Sequence, residues 1–169
     1  MNIHSDHPFA TPLEKRDPVR RLRGRIAAGV TVATSGEGTT MTGLTVASIM
    51  VVEGEVPLCV VAVGPDADLV TTIEGSGAFV VHLLDSGQRS LADTFALIRP
   101  SPGGLFAVVE HAQTPWGPRL TDVSDVVFCS HVETRPTGEQ VLIVGEIEDL
   151  ELSDLTDPLI HFRGSYRTF

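Results

Sequence analysis

The residues best placed to do chemistry here lie between positions 45 and 48. Thr45, Val46, Ala47 and Ser48 are small or hydroxyl-bearing, and they interrupt an otherwise apolar stretch. Small side chains let a ligand approach the backbone, where free amides and hydroxyls can hold its polar atoms. The pattern suits one wall of a site for a flat molecule. It also suits a half-exposed strand, since threonine favours strands. No residue stands out as a general acid, base or nucleophile. The histidines His82, His111, His131 and His161 are scattered, and no CxxC, HExxH or serine elbow is present. No catalytic residue and no metal ligand is therefore assigned. Redox chemistry, if any, falls to a cofactor.

The cluster needs elements to position it. Residues 40–63 read as a strand, a turn at Glu53-Gly54-Glu55 and a second, buried strand. Ahead of them, GVTVATS is a strand and Gly36-Glu37-Gly38 a hairpin turn. A helix is expected from Asp17-Pro18, because aspartate caps exposed amides and proline suits the first helical position. Val19, Leu22 and Ile26 recur at helical spacing and are expected to face inward, with Arg20, Arg21, Arg23 and Arg25 on the other face. Those arginines suit an anionic ligand or a solvated surface.

After residue 63, Gly-Pro-Asp-Ala-Asp is a tight loop, LVTTIEGSG a short helix ending at glycine, and AFVVHLL a core strand. DSGQRSLADTFA is a helix capped by Asp85 or Ser86. Residues 98–119 are expected to be an irregular loop, in which Phe106 and Trp116 either cover a ring or anchor the loop. Residues 125–152 form a hairpin of two long strands turning at 135–138. The sum is mainly β with short helices: six or seven antiparallel strands closing a small barrel.

The chain has 169 residues and a net charge of −10. That length favours one domain, residues 17–169, behind a mobile arm at 1–16. Acidity and a single lysine, Lys15, argue against a nucleic-acid surface. No apolar run is long enough for a bilayer. Cys59 and Cys129 read as free buried thiols. A cytoplasmic location is expected.

The order of segments resembles the flavin reductase-like family of the FMN-binding split barrel. The resemblance rests on Gly43-Leu44-Thr45-Val46-Ala47-Ser48, Ser76-Gly77-Ala78-Phe79-Val80-Val81, Leu91-Ala92 with Phe95-Ala96, Val144-Gly145-Glu146-Ile147, and Pro158-Leu159 through Phe162-Arg163-Gly164 to Tyr166-Arg167. It covers about residues 18–169. It implies a homodimeric split barrel that binds FMN or FAD near the dimer interface and reduces it with NADH or NADPH, often for a partner monooxygenase. Thr45, Val46, Ala47 and Ser48 would then meet the polar edge of the flavin ring. The loop Gly64, Asp66, Asp68 and Leu69 would meet its phosphate, and Gln140 and Tyr166 would lie on the nicotinamide side.

Three positions depart from the family pattern. The phosphate loop carries Asp66 and Asp68 where serine and threonine are usual, and each would repel a phosphate by about 1 to 4 kcal/mol at surface-like screening. Gln140 stands where a histidine is common. His82 replaces a frequent asparagine, and Met50, Val51 and Glu53 replace serines after the polar cluster. The alternative reading is a split-barrel binding protein without reductase chemistry.

Overall fold

The computed structural model describes residues 17–168; the arm expected at 1–16 lies outside the described residues. Helix α1 (Pro18–Arg23) starts where its cap requires: Asp17 Oδ1 accepts from the Val19 amide at 2.8 Å and the Arg20 amide at 3.3 Å. It ends after six residues, at Gly24. Its apolar side does not reach the core as expected. Val19, Leu22 and Ile26 are 72%, 60% and 64% exposed. So short a helix cannot span a face of the sheet, and the chain leaves it for a peripheral strand.

Two strands follow, β1 (Ala28–Gly29) and β2 (Thr31–Ser35). The stretch expected as one strand around the polar cluster is two, β3 (Thr42–Val46) and β4 (Ile49–Val52). Next come β5 (Leu58–Val63), helix α2 (Asp68–Ser76) and β6 (Ala78–Leu83). Helix α2 stops at Gly77, whose φ of 74° is the left-handed conformation glycine adopts without strain. Asp85 caps a short turn leading into α3 (Arg89–Phe95), its carboxylate accepting from the Gly87 amide at 2.8 Å.

Residues 98–119 are not an unbroken loop. They contain a hairpin of β7 (His111–Thr114) and β8 (Gly117–Leu120). Long strands β9 (Asp125–Thr137) and β10 (Gln140–Glu151) form the expected hairpin, and β11 (Ile160–Phe162) with β12 (Ser165–Arg167) a last one. The missed hairpin lacks alternation, and Pro118 inside it is a strand-breaking signal. It holds by side-chain anchoring. Thr34 Oγ1 donates to the Pro118 carbonyl at 2.5 Å, and the Leu120 amide donates to His82 Nε2 at 3.0 Å.

Seven strands form the main sheet in the order β3-β2-β6-β9-β10-β5-β4, every neighbour antiparallel. Two residues, Ala47 and Ser48, separate β3 from β4 in the chain, yet these strands sit at opposite edges. The sheet therefore curls until its edges meet, as strand twist allows. Where they meet, the Ala62 amide donates to the Ser48 carbonyl at 2.9 Å.

Alternate residues fill the interior: Ala33, Val61, Phe79, Val81, Cys129 and Ile143, closed by Leu69, Val70 and Ile73 of α2. Gly145 is tight because Phe79 lies over it. Outside the curl, Phe95 of α3 rests on Gly43 and belongs to a second core with Val30, Val32 and Leu120. The two aromatics of the presumed loop are anchors. Phe106 meets Phe95 edge-on at 5.7 Å, and Trp116 packs on Phe128 at 5.2 Å. Cys59 and Cys129 are free and buried.

Candidate functional site

A groove of about 600 Å³ runs along the seam where the sheet closes. Ala47, Ser48, Ile49 and Met50 form one side, and Val60, Ala62 and Leu142 the adjoining outer face. Ala28, Gly29 and His161 bring in the small sheet β1-β11-β12, and Arg23 and Ile26 close one end. Its size falls within the range of small-molecule sites. Ala28, Gly29, Ala47, Ser48 and Ala62 give it a floor with few protruding atoms. That floor fits a planar ring system such as a flavin, whose face needs flat contact and whose edge needs backbone partners.

Closure divides the polar cluster. Thr45 Oγ1 donates to the Ala92 carbonyl at 2.7 Å, so this hydroxyl holds α3 to β3. Val46 is 4% exposed and points into the barrel core. Its carbonyl accepts from Thr31 Oγ1 at 2.8 Å. Ala47 and Ser48 line the groove. They lie between β3 and β4, where the Ser48 carbonyl is taken by the Ala62 amide and no side-chain hydrogen bond is formed by the Ser48 hydroxyl among the described residues.

Gly64, Asp66, Asp68 and Leu69 follow Ala62 along the chain. The Gly64 carbonyl accepts from the Ala67 amide at 3.2 Å, which tightens the loop. Asp66 and Asp68 are exposed, while the Leu69 side chain is core at 1% exposure. Leu69 has only its backbone to offer a ligand. Ala67, at the start of α2, supplies no side-chain cap. Gln140 is exposed at the β9–β10 tip, its amide donating to the Glu139 carbonyl at 3.1 Å. Strand alternation puts it on the outward face of β10 with Leu142.

Tyr166 sits opposite His161 in register, with ring centres 6.2 Å apart, so it joins the groove through that histidine. Arg89 lies over its ring at 5.4 Å. Burial pushes the Tyr166 phenol up to about 12. The charge of Asp93 and a hydrogen bond to it act in the same direction, and Arg89 opposes them. The phenol therefore stays protonated at neutral pH. It can donate a hydrogen bond but cannot act as a base. Neither Gln140 nor Tyr166 lines the groove itself: Gln140 shares β10 with the lining residue Leu142, and Tyr166 on β12 stands opposite the lining residue His161 on β11.

Several lining residues were not singled out as site residues from sequence: Ala28, Gly29, Met50, Ala62, Leu142 and His161. Alternation along β5 and β10 marks Ala62 and Leu142 as outward-facing, but nothing local says that the outward face is a site. Arg23 was visible only as part of a basic run. Among the described residues, no group of three or more His, Cys, Asp or Glu side chains is arranged to hold a metal ion, and no helix is long and apolar enough to cross a membrane.

Comparison with known proteins agrees with this fold. The reductase component of 4-hydroxyphenylacetate 3-monooxygenase from Thermus thermophilus is 32% identical over 152 residues, 90% of this chain and 95% of that protein. An NADH-dependent FMN reductase from Streptomyces nodosus subsp. asukaensis is 30% identical, covering 90% of this chain and 84% of that protein. Among solved structures, the Streptomyces globisporus NADH:FAD oxidoreductase in complex with NAD and FAD fragments superposes with a TM-score of 0.82. It is 25% identical and covers 94% of this chain and 95% of that one. The flavin reductase component of a bacterial two-component tryptophan halogenase gives a TM-score of 0.78 at 28% identity, covering 89% of this chain and 98% of that one. A family model described as the flavin reductase like domain matches residues 23–169, nearly everything the structure describes, and the chain belongs to that family.

Proposed function

We propose that this protein is an NAD(P)H-dependent flavin reductase that reduces FMN or FAD and supplies the reduced flavin to a partner oxygenase. The observation that carries this reading is the seam groove, floored by Ala28, Gly29, Ala47, Ser48 and Ala62, in a chain that matches flavin reductases almost end to end. A flavin supplies the hydride-accepting ring when bound. The chain's own residues do the rest. The small-residue floor holds a ring flat, and Ala47 with the Ser48 hydroxyl meets its polar edge. Tyr166 and Gln140 border the nicotinamide side, and the loop from Gly64 to Leu69 lies toward the flavin phosphate. Holding two rings at contact distance and excluding water is the protein's contribution.

The working form is a homodimer in the cytoplasm. Supporting the dimer, Met50, Val51 and Val56 are 56%, 57% and 53% exposed on and beside edge strand β4. A row of apolar side chains on an unpaired edge favours cover by another chain. Two free, buried thiols suit a reducing compartment. The test is oxidation of NADH or NADPH by purified protein with FMN, FAD or riboflavin added. Flavin-dependent turnover is expected. No turnover with any flavin and either donor would sink the proposal, and a monomer by sedimentation at micromolar concentration would remove the dimer.

A further inference from the structure

The charge on this chain is unevenly placed. It has 22 acidic and 12 basic residues, yet arginines gather beside the groove. Arg20 and Arg23 belong to α1, and Arg23 lines the groove. Arg25 follows it. Arg163 stands in the β11–β12 turn, where its amide donates to the Gly24 carbonyl at 2.8 Å, which fixes that turn against the end of α1. Arg89 lies over Tyr166, next to His161. In an acidic protein these guanidinium groups would be expected to find carboxylates. Among the described residues, one ion pair forms, Arg119 with Glu151 at 2.5 Å, and it includes none of them. Arg20, Arg23, Arg25 and Arg163 are exposed, and among the described residues none of them pairs with a carboxylate, although Arg163 lies over the Phe162 ring at 5.6 Å.

We propose that Arg20, Arg23 and Arg163, flanked by Arg25 and Arg89, form an anion-binding rim that takes the pyrophosphate of the nicotinamide dinucleotide. This inference rests on the flavin reductase reading. The physical argument has two parts. A chain of net charge −10 repels a dinucleotide carrying phosphates, and a local positive rim reverses the field at the mouth of the site. Guanidinium groups also match phosphate oxygens two at a time, a geometry lysine lacks. The rim stands on α1 and the β11–β12 turn, whereas Asp66 and Asp68 stand beyond the end of β5. A nicotinamide stacked over the ring on the small-residue floor can therefore direct its pyrophosphate toward the rim, at the end of the groove away from the acidic loop.

The test measures initial rates at saturating FMN with two hydride donors, NADH and phosphate-free N-benzyl-1,4-dihydronicotinamide. Raising salt should increase KM for NADH and leave KM for the benzyl donor nearly flat. The triple substitution Arg20→Gln, Arg23→Gln, Arg163→Gln should raise KM for NADH about eightfold, from about twofold per screened contact, with the rise confined to the phosphate-bearing donor. Lysine at the same three positions should recover part of the loss. Equal changes for both donors, or none for NADH, overturn the rim. In a parallel series at saturating NADH with FAD varied, a rise in KM for FAD without one for NADH also overturns it, because the pyrophosphate held would then be the flavin's. The salt series on the unmodified protein keeps the test valid if the triple variant folds poorly. Absence of turnover with both donors would refute the functional reading, which the other outcomes leave standing.

Discussion

Acidification tests the packing around His82. This side chain is fully buried on β6 and touches two other strands. Its Nδ1 lies 3.0 Å from the Val32 carbonyl, and its Nε2 accepts from the Leu120 amide at 3.0 Å. Only the neutral ring with its proton on Nδ1 satisfies both bonds. A second proton on Nε2 would point at the Leu120 N–H. Burial lowers the pKa from 6.5 to about 4, the Val32 carbonyl opposes the shift, and nearby Arg119 adds to it. The unfolded chain therefore takes up the proton first. Stability from this group is complete above the ordinary imidazole pKa and is lost as pH falls from about 6.5 toward 4.

Linkage puts the loss between about pH 7 and about pH 4.5 at roughly 2.4 kcal/mol. For a chain of this size that is about 5 to 10 °C in Tm. The assay is urea unfolding at both pH values for the parent and for His82→Asn. The variant should be less stable at pH 7, by about 1 to 3 kcal/mol, because asparagine cannot reach both partners. Its stability should fall less on acidification, by about the 2.4 kcal/mol assigned to the imidazole. Other titrating groups are common to both proteins and cancel. Identical pH slopes for the two proteins would refute the reasoning.

Three further outcomes follow from particular positions. Gly145→Ala would place a methyl 2.6 Å from Phe79 Cζ and 2.9 Å from Cys129 Cβ. It should destabilise by about 1 to 3 kcal/mol in chemical unfolding, and an unchanged midpoint would show that the core yields there. Leu97 has φ 57° and is 72% exposed, so Leu97→Gly relieves a left-handed strain without losing packing. A gain of up to about 1 kcal/mol is expected, read as a higher unfolding midpoint. Asp66→Ser with Asp68→Ser removes two exposed carboxylates from the loop that follows β5. Because both carboxylates are exposed and screened by solvent, FMN titration should show binding tightened by about threefold to tenfold, less than contact repulsion would give, while riboflavin binding stays level. Equal affinities for FMN before and after would place the phosphate elsewhere.

Much of the framework was legible because its signals are local. Asp17 and Asp85 announced helix caps, and Gly77 announced a helix end. Strong alternation announced β9 and β10. Where signals depended on distant partners, the reading failed. Val19, Leu22 and Ile26 have helical spacing but nothing described to pack on. The β7–β8 hairpin has no hydrophobic period of its own, and it forms because Thr34 and His82 offer partners from other strands.

The residue order alone determined most of the core strands, the main helix ends and the presence of a small, polar stretch at positions 45–48. These follow from interactions spanning a few residues. Tertiary structure decided which of those four residues meet the groove. Thr45 is held by Ala92, Val46 turns into the core, and Ala47 and Ser48 span the seam. The reason is closure: twist accumulated over seven strands brings β3 and β4 to opposite sides of one gap. No window of sequence contains that sum, so neither the groove nor the arginines gathered at its mouth could be read before the sheet was closed.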